Sequence, residues 1–424
     1  GKHLLFLGNR DEKLPPAESI DWWVVPLDSG RAIRTGALHA IRNANLSRSL
    51  QVYPWAVVTP AWAEGDAWVF SARSGDSTNL WRIGISEKTW KVAGPPERLT
   101  SGPTWEGNPS VAKGARGTVQ AAFAALNENA DIWSLPIEAN QGKVIREPQR
   151  LTQDAALDGA PSLSRDGSKM LFVSDRSGNQ EVWLKDLQSG KESALTSIRS
   201  TKYCARFSPD RSRVTFTSRE DNRWPIYIMP GTGGVPEMIC PDCGVLSGWS
   251  SDGKRALYHT VPGGVHLLDM NSRRQVELLN HPVGRVHGAH FPPDDRWIAF
   301  FNTTVGSWRM YVVRFQGDQP IQERDWIALT DGTSFVDKLR WSPDGRLIYY
   351  ISDRDSYRCL WAQRLDEATR QPAAAPFAVF HSHSARRSLL NMDLEQLQIS
   401  AAPDKIVFSM GERTGNIWMA EWKK

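Results

Sequence analysis

The residues of this 424-residue chain that could do chemistry fall into a few clusters of cysteine, histidine and carboxylate. Cys240-Pro-Asp-Cys243 sets two thiols at a spacing that suits a disulfide, a redox pair or half of a tetrahedral zinc site. Zinc needs two further ligands, and Cys204 and Cys359 are far away in sequence. His259 and His266 are nearest, but no spacing supports them. The expected reading is a pair of turn cysteines, free or locally bridged. His281, His287 and His290 lie close together, as do His381 and His383. Such groups can bind a metal, but no acidic partner is evident from the spacing. They are read as loop and channel-mouth histidines, and no metal or cofactor is expected.

Acidic turns at 174–179 (Ser-Asp-Arg-Ser-Gly-Asn) and 352–356 (Ser-Asp-Arg-Asp-Ser) could offer oxygens to calcium. They recur at equivalent places in a repeat, which favours structure. Asp there can satisfy backbone amides of its own turn, and Arg can pair with the neighbouring repeat.

The repeat is the element that positions these groups. Residues 339–345, Leu-Arg-Trp-Ser-Pro-Asp-Gly, end an apolar strand in a turn where Pro presets φ and Gly supplies φ > 0. An alternating β-branched and aromatic run follows, then a polar turn, then a strand opened by an aromatic. Copies are marked at 65, 114, 166, 210, 252, 294, 344 and 404, which are 42 to 60 residues apart. That spacing suits four-stranded propeller blades. Third strands open on Trp22-Trp23, Trp81, Trp133, Trp183, Tyr227, Tyr311, Trp361 and Trp418, and several copies close on Leu-Thr. Recurrence assigns the aromatics to packing between sheets. Gly1 to Gly8 match residues 345–352, so the chain begins inside a repeat and is expected to be a piece of a longer polypeptide. Residues 384–398, in the longest insertion, are the one amphipathic helical candidate.

The expected fold is therefore an all-β propeller of four-stranded blades, eight of them with seven as the alternative. One domain covers 1–424, and its closing blade is built from about 1–48 and 397–424. Residues flanking the innermost strands face the channel or its mouth, which singles out Arg206, Trp249, His290, Arg340 and Trp341 as ligand- or partner-binding candidates. Trp and Arg are frequent interface anchors.

Trp-Ser-Pro-Asp-Gly, the following Ile/Tyr/Phe strand, Ser-Asp-Arg and the aromatic-led third strand resemble the TolB-like (WD40-like) β-propeller repeat across essentially the whole chain. Residues 131–136 and 416–421 look most like propeller regions of multidomain bacterial signalling proteins, where a Ser/Thr kinase or winged-helix domain accompanies the propeller. The resemblance implies a non-catalytic sensor or interaction module that presents loops and channel mouth to a protein, peptide or small ligand. Alternatives are the substrate-gating propeller of a prolyl-oligopeptidase-type hydrolase, or a periplasmic TolB-like envelope component. No Gly-x-Ser-x-Gly elbow, phosphate loop or His-Arg-Asp loop occurs in the sequence.

Net charge is +4, from 51 basic and 47 acidic residues without a basic block, so nothing calls for direct contact with nucleic acid. No apolar run approaches the roughly 20 residues that span a bilayer, and a membrane would enter only through upstream segments. Four cysteines suit either compartment, with a periplasmic setting favoured over a cytoplasmic one.

Overall fold

The computed structural model describes residues 2–9, 19–28, 30–46, 60–62, 67–74, 77–114, 118–198, 200–221 and 223–423. Gly1, part of the expected first repeat, and the marker at Gly65 lie outside them. The chain divides into two compact units, 1–128 with 413–424, and 129–412. Among the described residues, no helix is long and apolar enough to cross a membrane.

The second unit is a ring of six sheets. Five are sequential four-stranded antiparallel meanders. Their innermost strands are Asp158–Leu163, Thr201–Phe207, Val245–Trp249, Arg285–His290 and Val336–Trp341, which define blades 1 to 5. Blade 6 draws on both ends of the unit. Ile399–Ala402 is innermost and pairs with the start of Lys405–Lys423. That strand lies beside the second half of Thr118–Glu138, which in turn pairs with Gln149–Arg150. Ile137 and Ala139 donate their N–H groups to the carbonyls of Asp404 and Pro403 at 3.1 Å. Each innermost strand neighbours the next, and the sixth neighbours the first.

Six apolar wedges fill the spaces between successive blades. Phe216 and Leu171 meet between blades 2 and 1, and Tyr258 and Ile228 between 3 and 2. Phe300 and Leu267 fill the next gap, followed by Tyr350 with Phe301. Tyr349 with Phe408, and Phe172 with Val407, complete the circle. The six-bladed ring of 129–412 therefore replaces the expected single eight-bladed ring. Residues 399–412 close on 129–150 instead of on 1–48. Trp418, read as a third-strand wedge aromatic, is 58% exposed, because Trp133 occupies that place in blade 6.

The first unit has its own core. His3–Asn9, Ile20–Pro26 and Ile33–Arg34 form a three-stranded sheet, and helix α1 covers Ala37–Asn43. Buried Asp21 accepts hydrogen bonds from the N–H groups of Gly36 (3.0 Å) and Leu38 (3.2 Å) at the helix start. Trp22, Leu38, Ile41, Trp68 and Phe70 pack together. Ala61–Trp62, Ala67–Ser74, Ser77–Gly84 and Glu97–Arg98 form a second meander in this unit.

The repeat residues prove to be joints. In blades 1, 2, 3 and 5 the serine hydroxyls of Ser164, Ser208, Ser250 and Ser342 each donate to the Asp two residues on at 2.6 Å. Each also accepts the N–H five residues on at 2.9–3.0 Å. These serine bonds hold the Asp166 and Asp210 carboxyls down at about 2. In the second turn Asp175 and Asp353 accept from Leu157 and Phe335, ahead of the first strand of the same blade, at 2.9 Å. Arg176 pairs with Asp158 (2.7 Å) and Glu192 of its own sheet, and with Asp154 (2.8 Å) of the segment that joins blade 6 to blade 1. The Leu-Thr ending is explained too: Thr152, Thr196 and Thr330 hydroxyls accept N–H groups of the third strand at 2.9–3.0 Å.

Residues 384–398 form no α-helix; they hold a two-residue strand and the 3-10 turn Leu389–Asn391. Burial of Leu389, Met392 and Leu397 in the wedge beside Tyr349 and Phe408 overrides the local periodicity. We expect Ser250→Ala to lower unfolding free energy by about 0.5–1.5 kcal/mol, because the Arg255 N–H loses its acceptor in a half-buried turn. Urea denaturation checks this; an unchanged midpoint would contradict the joint role.

Candidate functional site

At the ends of the innermost strands, on the side of the Ser-x-Asp turns, the second unit holds an open cavity of about 360 Å³. All five sequence-chosen binding candidates line it. They reach it by a shared local device. The innermost strands of blades 1 to 5 each slip register once against the second strand, between 159 and 162, 203 and 206, 246 and 248, 287 and 290, and 337 and 340. At four of these bulges one residue adopts positive φ: Ala160 (51°), Cys204 (48°), Gly288 (64°) and Lys338 (60°). For the three non-glycines this conformation costs on the order of 1–2 kcal/mol. Past each bulge the chain presents one residue at an equivalent place. In blades 1 to 5 these are Ser162, Arg206, Gly248, His290 and Arg340, and in blade 6 Ser400 holds the same place without a register slip.

Two of the six are arginines, on blades 2 and 5. Arg340 Nη2 donates to Gln398 Oε1 at 2.9 Å, and Arg206 Nη2 reaches the same oxygen at 3.4 Å. Arg340 Nη1 also donates to His290 Nε2 (2.6 Å) and to the Leu339 carbonyl. Arg206 is 8% exposed and otherwise donates to the carbonyls of Ser247 (3.2 Å) and Ala205 (3.0 Å). Every acceptor in this cluster is neutral. Burial pushes both guanidinium groups below the ordinary arginine value, and for Arg340 the neighbouring Arg206 adds to the shift. An arginine's ordinary value is so high that both remain cations near neutral pH. The carboxylate in the lining, Asp295, accepts from the Ser251 N–H (2.8 Å) and hydroxyl (2.5 Å) and touches neither arginine by hydrogen bond.

His290 Nε2 accepts a hydrogen bond from Arg340 Nη1, so its imidazole is neutral. Burial and then Arg340 hold it well below its ordinary value. Gly248 makes room for it: a Cβ there would lie 2.8 Å from His290 Nδ1. The two tryptophans sit one residue further and serve the walls. Trp341 Nε1 donates to the His290 carbonyl (3.0 Å), and Trp249 Nε1 to Thr215 Oγ1 (3.1 Å). Of the five candidates, Arg206, His290 and Arg340 therefore meet, while Trp249 and Trp341 pack. Gln398, which joins the arginines, escaped the sequence reading because it lies in an insertion with no repeat signature.

Behind the inner strand of blade 3, buried His259 Nδ1 meets Ser247 Oγ at 3.3 Å and accepts from the Gly288 N–H at 3.4 Å. His287 Nε2 meets Thr303 Oγ1 at 3.0 Å. Cys240 and Cys243 form a disulfide at the end of blade 2, packed in the wedge against blade 3, so neither thiol is open to a metal. His281 lies apart from the channel imidazoles, with its Nε2 3.5 Å from Glu323.

No family model matches the sequence. It is 31% identical over 115 residues to an uncharacterized protein of Agrobacterium fabrum, 26% of this chain and 39% of that protein. It is 26% identical over 158 residues to a protein TolB homolog of Chlorobium luteolum, 35% of this chain and 34% of that one. The chain thus matches well under half the length of these curated relatives. Its fold is similar to that of a putative TolB from Agrobacterium tumefaciens, with a TM-score of 0.52 and 20% identity, covering 68% of this chain and all but 1% of that one. The fold is that of a TolB-like β-propeller.

A pH dependence follows from the channel imidazoles. Burial lowers His287 to about 4, and His259 and His290 are also held below 6.5. Between these values the unfolded chain binds more protons than the folded one, so stability rises with pH. Stability should fall on acidification from about pH 6.5 to about pH 4, each imidazole contributing at most about 1.4 kcal/mol per pH unit. The turn aspartates act lower, below their ordinary 3.8. Urea midpoints across this window should fall less steeply for His287→Gln; an identical slope would contradict the assignment.

Proposed function

We propose that the six-bladed unit is a non-catalytic binding module whose channel mouth takes a carboxylate carried on a peptide segment. One observation carries this: Arg206 and Arg340 converge from blades 2 and 5 on a single amide oxygen, without a carboxylate partner. A buried and a half-buried cation facing neutral acceptors are costly on their own and become favourable when an anion joins them. Gln398 then holds the pair in register until the ligand arrives. The aromatic and proline rim, including Phe207, Phe291, Pro292 and Pro343, offers an apolar seat for the rest of an extended chain.

The wider reading is that of a sensor or interaction module within a larger bacterial signalling protein. The repeat resemblance of residues 131–136 and 416–421 supports it. A binding role is favoured over catalysis because, among the described residues, no carboxylate accepts from the His259 imidazole that meets Ser247, and the imidazole is held neutral by burial. Ser247→Ala should therefore leave ligand binding intact, and esterase and peptidase assays should stay blank.

Calorimetric titration with a capped tripeptide bearing a central Asp or Glu tests the site. It should bind at least about tenfold more tightly than its Asn or Gln counterpart, since hydrogen bonds to a charged group contribute about 1.5–3 kcal/mol. The Arg206→Met, Arg340→Met double variant should lose this preference while melting at or above the parent temperature, because two desolvated charges without a hydrogen-bonded carboxylate are gone. Equal binding of acid and amide peptides, or a preference that survives the double variant, would refute the proposal.

A further inference from the structure

One cluster of metal-ligating side chains lies away from the channel, at the edge of blade 5. Asp355 sits in the turn after the second strand, Leu347–Ser352, and Cys359 opens the third strand, Cys359–Arg364. His381 and His383 follow directly on the fourth strand, Phe377–Phe380. Antiparallel pairing sets Leu360 opposite Phe380, so the start of one strand and the exit of the other share one end of the sheet. One donor atom from each of the four residues lies within 4.8 Å of all the others.

We propose that Asp355, Cys359, His381 and His383 bind a zinc ion. Three of the donors form a small triangle: Asp355 Oδ2 to His381 Nδ1 is 3.0 Å, Asp355 Oδ2 to His383 Nε2 is 2.8 Å, and the two ring nitrogens are 3.2 Å apart. A triangle of that size has its centre about 1.7 Å from each corner, so an ion just off its plane meets all three at about 2.0–2.1 Å. The Cys359 sulfur supplies the fourth corner. Two ion pairs to Asp355 would account for the oxygen contacts alone. They do not account for two imidazole nitrogens facing each other, since both would have to carry protons to pair with Asp355.

The donor chemistry selects the metal. A thiol, two imidazoles and one carboxylate suit zinc, whereas calcium and magnesium take oxygen ligands. Four protein ligands fill a tetrahedron, which makes the site structural. Its surroundings fit that role. The Ser382 N–H donates to Cys359 Sγ at 3.3 Å, a bond that supports a metal thiolate, and the Tyr357 ring lies 4.4 Å from the His383 ring. Cys359 is fully buried while His381 and His383 are 55% and 43% exposed at the side chain, so an ion can enter from the imidazole side. Bound there, it ties the chain leaving blade 5 back onto that blade, just before the segment that delivers Gln398 and the closing strands.

The test uses the full chain stripped with a chelator and titrated with cobalt(II), then zinc(II). We expect one equivalent of cobalt, with the visible bands of a tetrahedral ion and a near-ultraviolet thiolate-to-cobalt band, displaced by one equivalent of zinc. His383→Ala should weaken binding by about 100-fold, at least the upper end of what losing a supporting group costs. Cys359→Ser should keep the visible bands and lose the thiolate band. Zinc should raise the melting temperature of the parent and not of His383→Ala. Absence of saturable binding, an octahedral spectrum without the thiolate band, or affinity unchanged in His383→Ala would overturn the proposal. The His383 variant decides the matter even where Cys359→Ser fails to fold.

Discussion

Closure of the ring is the constraint on which the rest depends. Blades 1 to 5 are meanders that each bury one face against the blade before and the other against the blade after, so an open row would leave two apolar faces in water. The sixth sheet removes both. Its inner strands come from 399–412 and its outer strands from 129–150, which makes the first and last parts of the unit cooperate in a single sheet. The wedges holding Phe408 beside Tyr349, and Val407 beside Phe172, are where that closure is stabilised.

The mouth of the channel is a product of this closure. Arg206 and Arg340 are separated by 134 positions, and the amide they share lies 192 and 58 positions away from them. No local stretch holds the site. It exists only because blades 2 and 5 and the segment entering blade 6 are fixed around one axis. The strained bulges serve the same end. Each adds a residue to an inner strand of blades 1 to 5 and turns the next side chain toward the channel, and that position carries Ser, Arg, Gly, His and Arg in turn, with the unbulged Ser400 completing the ring. Scaffold residues repeat and site residues do not.

That contrast explains what the sequence made legible. The repeat itself, the turn serines and aspartates and the packing aromatics all recur, and periodicity reveals them. Arg206, His290 and Arg340 were found because they flank recurring inner strands. Blade number was misjudged because the markers at 65 and 114, which fall in the first unit, have the same spacing as those of the ring. Two strands of 21 and 19 residues also carry the chain from one unit to the other without a turn to mark the boundary. Gln398 and the bulges carry no repeat signature. His381 and His383 looked partnerless because Asp355 lies 26 and 28 positions away, a distance that only strand pairing closes.

A protein that holds two converging arginines without a hydrogen-bonded carboxylate accepts a less stable channel mouth in exchange for an anion site. The most direct measurement is anomalous diffraction from a crystal soaked in bromide, a monovalent anion that reports on charge and access alone. A bromide peak is expected between the Arg206 and Arg340 guanidinium groups beside Gln398. Peaks confined to exposed arginines such as Arg165, with none between the two, would contradict it.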